Sequence, residues 1–163
     1  MRRIRQRRHR LPPESYVGQF PISFTACVDE RGWAFRSAEY VEPFIQLLTE
    51  EFARFDCLIP IYCFMPDHLH VISMGMTHMS NGKLAMDAFK QSSGQYFYNS
   101  GNRFRWQDEY HDRIIRRSEE WRKKVFYVFQ NPVRARLVHD PRSYPFTGSV
   151  GYDLEQIICD AAT

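Results

Sequence analysis

Residues 58–74 read Leu-Ile-Pro-Ile-Tyr-Cys-Phe-Met-Pro-Asp-His-Leu-His-Val-Ile-Ser-Met, which is two short apolar segments joined by the turn Met65-Pro-Asp67. Two strands that are joined by so short a turn form an antiparallel hairpin. His68 and His70 stand two apart on the second strand, and alternate side chains of a strand point to the same face. The sequence therefore predicts both imidazoles on one sheet face, where they can chelate one metal ion, with Leu69 pointing into the core.

Strand and helix patterns alternate on either side of this hairpin. In chain order, the patterns predict a strand over 20–28, an amphipathic helix over 41–55, the hairpin, a helix over 84–98, a strand over 110–115 and a helix from Ser118 to Pro132. Ser118 is expected to cap the last helix with its hydroxyl, and Pro132 to end it. This order predicts the α+β class, an antiparallel sheet with helices packed on it.

The basic charge of the chain is concentrated at its N-terminus. The 163 residues suit one domain, which we divide into a basic arm and linker over 1–14, a catalytic domain over 15–150 and a C-terminal tail over 151–163. The arm carries six arginines: Arg2, Arg3, Arg5, Arg7, Arg8 and Arg10. The net charge is +3, but without these six the chain has 16 basic against 19 acidic residues. A basic arm on a slightly acidic body is typical of nucleic-acid contact, although a solvated tail is the plainer interpretation of each arginine alone.

Other classes of protein are excluded by composition. The four cysteines form no Cys-x-x-Cys pair, which argues against a zinc ribbon or a disulfide framework and favours a reducing, intracellular setting. The longest apolar run is interrupted by Pro60 and is far shorter than the roughly 20 residues of a membrane span. We therefore expect a soluble domain with no membrane partner.

The last predicted helix carries a second pair of chemically capable residues. Tyr127 and Asn131 are four apart, so they share one helical face. Taken singly, Tyr127 suits a core aromatic and Asn131 a helix cap before Pro132. Taken with the histidine pair, a phenol and an amide on one face indicate a single site.

These motifs resemble the single-tyrosine HUH transposases of the IS200-like superfamily. Phe64-Met-Pro-Asp-His-Leu-His-Val71 is similar to the family motif Met-Pro-Asn-His-hydrophobic-His. Three further segments resemble the branch associated with repetitive extragenic palindromes (REP): Trp106-Gln-Asp-Glu-Tyr-His-Asp-Arg-Ile-Ile115, Tyr127-Val-Phe-Gln-Asn-Pro-Val-Arg-Ala-Arg-Leu-Val138 and Tyr144-Pro-Phe-Thr-Gly-Ser149. The likeness runs from about Arg7 to Ser149, and it implies a ferredoxin-like, RRM-like fold.

The resemblance also implies roles for the site residues. Tyr127 matches the nucleophile, His68 and His70 match the ligands of the catalytic metal, and Asn131 matches the residue that completes the metal site. The family metal is Mg²⁺ or Mn²⁺, although two imidazoles and an amide do not by themselves exclude Zn²⁺ or Co²⁺. Asp67 replaces the usual Asn, and Arg136 stands where Gly is common.

The implied activity is cleavage and rejoining of single-stranded DNA beside palindromic hairpins, through a 5′-phosphotyrosine on Tyr127. The arm is expected to grip the DNA, and Lys83, Lys90, Arg103 and Arg105 either line a single-strand path or only keep the surface soluble. The implied location is the cytoplasm of a bacterium, at the nucleoid, as a monomer or homodimer. Two alternatives stay open: a domesticated, non-catalytic protein of the same fold that binds hairpin DNA, and an RNA-binding sheet platform.

Overall fold

A computed structural model of the chain describes residues 10–163. Five of the six arm arginines, Arg2, Arg3, Arg5, Arg7 and Arg8, lie outside the described residues. The strands and helices are β1 (Pro21–Cys27), α1 (Ala38–Arg54), β2 (Cys57–Met65), β3 (His68–Gly75), α2 (Gly82–Asn99), β4 (His111–Ile114), α3 (Ser118–Arg134), β5 (Thr147–Val150) and α4 (Leu154–Ala162). Among residues 10–163, no helix is long and apolar enough to cross a membrane.

The five strands form one antiparallel sheet in the order β4-β1-β3-β2-β5. The first four strands with α1 and α2 make a ferredoxin-like β-α-β-β-α-β unit, and β5 extends the sheet beyond β2. The expected α+β class is confirmed, and β3, the strand of the two histidines, is the central strand.

Helices lie on both faces of the sheet. On one face, here called the core face, Phe24, Phe64 and Leu69 are fully buried against α1 and α2, so the predicted inward direction of Leu69 is confirmed. On the other, here called the histidine face, Ile72 packs with residues of α3 and α4 such as Val125. Because this face carries the imidazoles and a helix layer, the sheet is not the bare platform that the RNA-binding alternative needs.

Helices α1 and α3 extend beyond the predicted bounds, and each contains a proline. Helix α1 begins at Ala38, which places Pro43 inside it, and α3 continues past Pro132 to Arg134. A proline costs one backbone donor and crowds the preceding turn, but the turns that follow it keep their own hydrogen bonds. Ser118 is the first helical residue rather than the cap, and Arg117 at the N-cap position makes no side-chain capping bond.

Helix α3 ends on a residue in the left-handed conformation. Arg136 has φ 60°, in the left-handed region that glycine occupies freely. Its N–H donates to Val133 O at 2.9 Å, and Leu137 N–H donates to Pro132 O at 2.9 Å. These two bonds form a Schellman motif, which requires a left-handed residue at this position.

The predicted C-terminal tail contains a helix. Asp153 caps α4 by accepting from Gln156 N–H at 3.0 Å, and Ile158 and Ala161 are buried in the cluster shared with α3. The apolar residues of α4 recur at helical spacing: Leu154, Ile157, Ile158 and Ala161. This burial offsets the entropy lost on ordering the segment.

Candidate metal and tyrosine site

His68 and His70 meet on the histidine face at the centre of the sheet. Their Nε2 atoms are 3.1 Å apart, and their rings are perpendicular with centroids 4.8 Å apart. His70 is only 6% exposed. Both imidazoles therefore present one nitrogen each to a shared point, as the alternation along β3 predicts.

Helix α3 brings the tyrosine and the asparagine to the same point. The side-chain amide of Asn131 lies 2.8 Å from His70 Nε2, and the Tyr127 ring stands edge-on to the His70 ring with centroids 5.5 Å apart. Tyr127 is 41% exposed, so its ring packs at the site while the side chain remains open to a substrate. Asn131 is therefore inside the helix rather than a helix cap, and Tyr127 is outside the core rather than a core aromatic.

The other ring nitrogen of each histidine has its own partner. His70 Nδ1 lies 2.9 Å from Thr25 Oγ1, and His68 Nδ1 lies 2.5 Å from Asp67 Oδ1. Such contacts fix the ring orientation and tautomer of metal-binding histidines. Sequence reasoning missed Thr25, because its signal is the β1–β3 register that pairs Thr25 with His70.

Both imidazoles are held in the neutral form. Burial lowers the pKa of His70 to about 3, and the nearby charges of His68 and Lys124 act in the same direction. Burial also lowers the pKa of His68, although the contact with Asp67 opposes that shift. At neutral pH both rings are therefore in the form that binds metal ions.

The donor set fits one divalent ion. Neighbouring ligands of an octahedral ion, each at about 2.1 Å, lie about 3 Å apart. The histidine nitrogens at 3.1 Å and the Asn131 amide at 2.8 Å from His70 match that spacing, and turning the amide would present its oxygen. Over residues 10–163 no group of three His, Cys, Asp or Glu side chains is placed to hold a metal ion, and the polar group beside the two imidazoles is the Asn131 amide.

Two cations flank the tyrosine. The guanidinium of Arg134 lies 4.8 Å from the centre of the Tyr127 ring, and Lys124 Nζ lies 5.8 Å from it. Lys124, Tyr127, Asn131 and Arg134 recur at three- and four-residue spacing, so one face of α3 carries them all. The two cations were not singled out from the sequence, although their helical spacing from Tyr127 and Asn131 indicates that they share this face.

The predicted DNA-binding lysines lie away from this site. Lys83 and Lys90 are on α2, which packs on the core face. Lys83 pairs with Asp87 at 2.6 Å. Lys90 Nζ donates to two backbone carbonyls of the loop before β4, at 2.6 and 3.0 Å. Lys90 therefore anchors a loop rather than presenting its charge outward.

The predicted arginines are also engaged within the chain. Arg10 pairs with Asp112 at 3.1 Å and stacks on the Tyr110 ring at 4.3 Å, which ties the described end of the arm to the sheet edge. Arg105 pairs with Asp29 at 2.8 Å and stays largely exposed, and Arg103 lies over the Phe104 ring.

A groove of about 1220 Å³ runs along the edge strand β4 and reaches the histidine face at Thr25. Arg10 and Arg105 line it, together with three arginines that sequence reasoning did not single out: Arg113, Arg116 and Arg117. The groove connects the described end of the arm to the strand that supports His70.

The comparisons with known proteins support the fold. No model of a protein family matches the chain, and no curated protein matches it either. Among solved structures, the chain is similar to the REP-associated tyrosine transposase bound to a REP hairpin, with a TM-score of 0.73 and 19% identity over 87% of this chain and 82% of that one. It is also similar to a Deinococcus radiodurans protein assigned as a transposase, at 14% identity over 81% of this chain and 92% of that one, with a TM-score of 0.49. The chain thus has the fold of the first of these proteins, as the resemblance implies.

Proposed function

We propose that the chain is a metal-dependent, single-tyrosine nuclease and strand transferase that acts on single-stranded DNA beside palindromic hairpins. The observation that carries the proposal is the meeting of α3 and β3, where the Asn131 amide lies 2.8 Å from His70 Nε2 and the Tyr127 ring packs edge-on against His70. A nucleophile, an amide and two neutral imidazoles at one point suit phosphodiester chemistry.

His68, His70 and Asn131 would hold the divalent ion, Mg²⁺ or Mn²⁺. When bound, such an ion neutralises a nonbridging phosphate oxygen and polarises phosphorus. Three protein donors leave coordination positions for a substrate. The contacts of Thr25 and Asp67 keep both rings turned toward the shared point.

Tyr127 would perform the cleavage. Its Oη forms a bond to phosphorus while the bond from phosphorus to the 3′ oxygen breaks, the phenol gives up its proton and the departing oxygen takes one up. The products are a 5′-phosphotyrosyl strand and a free 3′-hydroxyl. Because the new ester replaces the old one, attack by a 3′-hydroxyl reverses the step and rejoins DNA without ATP.

The cations beside Tyr127 suit a charged substrate. Arg134 and Lys124 flank the ring at 4.8 and 5.8 Å, so a phosphate at the tyrosine oxygen would meet positive charge, and a guanidinium can bind phosphate through two hydrogen bonds. These two side chains would hold the scissile phosphate for attack.

The groove along β4 would lead a DNA strand to Thr25, which contacts His70 on the histidine face. Five arginines line it together with aromatic and acidic side chains, and single strands bind where cations meet the backbone and rings meet bases. The similar solved transposase is bound to a REP hairpin. We propose that the chain acts as a monomer or homodimer in the cytoplasm of a bacterium, at the nucleoid.

The test is covalent capture of labelled DNA. Full-length protein is incubated with single-stranded hairpin oligonucleotides and Mg²⁺ or Mn²⁺, and adducts are resolved on a denaturing gel. We expect an adduct with the wild type and with the control Tyr98→Phe, whose ring is exposed on α2, and none with Tyr127→Phe. A wild type that binds hairpins without forming an adduct would establish the non-catalytic alternative, and an adduct with Tyr127→Phe would exclude Tyr127 as the nucleophile.

A further inference from the structure

We infer that Arg31 and Asp67 form a coupled support that holds His68 in its metal-binding orientation. Both are positioning residues, since they act through His68. The inference rests on the proposed metal site and adds to it a supporting role for these two residues.

One carboxylate contacts both the histidine and the arginine. Asp67 Oδ1 lies 2.5 Å from His68 Nδ1, and Asp67 Oδ2 accepts from Arg31 Nε at 2.9 Å. The side chains of Asp67 and His68 are 19% and 14% exposed. An acceptor at Nδ1 places the proton there and leaves Nε2 as the free donor atom that faces His70.

Arg31 is fixed at its other end as well. Its Nη1 donates to Cys27 Sγ at 3.0 Å, and Cys27 is the residue of β1 that pairs with His68 in the sheet register. The guanidinium therefore spans from the end of β1 to the hairpin turn, beside the histidine that Asp67 supports.

The backbone that carries Arg31 is held in an unusual conformation. Glu30 and Arg31 have φ values of 55° and 54°, a left-handed geometry that non-glycine residues rarely adopt and that persists where the surroundings enforce it. Hydrogen bonds to the hairpin turn enforce it here: Val28 N–H donates to Asp67 O at 2.9 Å, and Phe35 N–H donates to Pro66 O at 3.0 Å. The segment is thus fastened to the turn on both sides of Arg31.

The coupling follows from the charge at position 67. An amide there could accept from His68 Nδ1 without any countercharge, whereas a part-buried carboxylate needs one, and Arg31 supplies it. Removing Arg31 should therefore disturb the orientation of the His68 ring only while position 67 is an aspartate. An asparagine at this position should make Arg31 dispensable.

The experiment measures Mn²⁺ affinity of the full chain by calorimetry, without DNA, alongside the thermal midpoint of the metal-free protein. We expect Asp67→Ala to weaken Mn²⁺ binding about 10–100-fold and Arg31→Ala to weaken it less. The double variant should equal Asp67→Ala alone, because both losses pass through one contact. Asp67→Asn should keep most of the affinity, and adding Arg31→Ala to it should change nothing.

The control is Arg54→Ala, which breaks the exposed pair of Arg54 with Glu51 on α1 and should leave Mn²⁺ affinity unchanged. If the wild type binds Mn²⁺ and Asp67→Ala binds it with the same affinity, the inference is overturned and the proposed function still stands. The inference would also be overturned if Arg31→Ala weakened Mn²⁺ binding equally in the wild-type chain and in the chain that carries Asp67→Asn. A wild type that binds no Mn²⁺ would overturn the inference and the metal site together.

Discussion

The side-chain amide of Asn131 lies 2.8 Å from His70 Nε2, across a separation of 61 residues in the chain. This contact joins α3 to β3, and His68 Nε2 lies 3.1 Å from the same His70 atom. The helix that carries Tyr127 is thereby positioned by a polar contact as well as by its apolar side. Loss of the amide should therefore affect metal binding and the placement of the tyrosine together.

Replacing Asn131 should weaken the metal site. We expect Asn131→Ala to lower Mn²⁺ affinity at least about tenfold, since loss of a group that only supports a ligand already costs about 10–100-fold. Asn131→Gln keeps the amide on a longer side chain and should retain part of the affinity. Calorimetric titration checks whether Mn²⁺ affinity decreases from the wild type to Asn131→Gln and then to Asn131→Ala. Equal affinity in all three would show that the amide is not a ligand.

The metal-free protein should lose stability in acid partly through His70. Its pKa is about 3 in the folded state, against an ordinary value of 6.5, so between these values the unfolded chain binds the extra proton and stability falls as the pH falls. The free energy of unfolding of wild type should therefore drop more between pH 7 and about pH 4.5 than that of His70→Gln. Urea titrations at both pH values check this, and parallel losses would contradict it.

Arg136→Gly should stabilise the fold. Arg136 occupies a left-handed position at the end of α3, which costs an L-residue roughly 1–2 kcal/mol and glycine little. We expect a gain of about 1 kcal/mol in the free energy of unfolding, measured by chemical denaturation. Arg122→Gly, at an exposed position in the interior of the same helix, is the opposing control and should destabilise by about 1 kcal/mol.

Lys90 should matter for stability rather than for DNA. It donates to two loop carbonyls from a half-buried position, and hydrogen bonds to a charged group contribute about 1.5–3 kcal/mol. Lys90→Ala should therefore destabilise by about that amount. Lys83→Ala breaks a helix-surface pair with Asp87 and should cost only about 0.5 kcal/mol. Comparable losses for both would contradict the anchoring role of Lys90.

Removing residues 1–9 should weaken hairpin binding and reduce its dependence on salt. Each arginine that contacts a phosphate contributes about 0.7 to the slope of log affinity against log salt for a single strand. The truncation leaves Arg10 and its contacts with Asp112 and Tyr110 in place. Binding isotherms at several salt concentrations measure the slope, and an unchanged slope would mean that the arm is a solvated tail.

The centre of the fold could be predicted because its signals are local. A turn between two apolar segments predicts the hairpin, the two-residue spacing places His68 beside His70, and the four-residue spacing places Tyr127 beside Asn131. The supporting contacts could not be predicted in this way. Thr25 reaches His70 only through the register of β1 on β3.

The sequence patterns did not indicate the contacts that depend on tertiary packing. Lys90 has the pattern of a solvent-exposed helix lysine, but the loop before β4 folds over it and accepts its hydrogen bonds. The apolar residues from Leu154 to Ala161 have helical spacing, but a helix as short as α4 is stable only when it is buried, here against α3. Pro132 is tolerated within α3 because the next turn keeps its hydrogen bonds.

The single tyrosine beside the histidine pair sets a stoichiometry for the proposed reaction. One polypeptide with one such tyrosine can hold a single severed strand at a time, and the freed 3′ end has to be retained by noncovalent contacts until joining. Liberating a DNA segment takes two cuts. Two polypeptides must therefore share that task, or one must reseal its first junction before it makes the second.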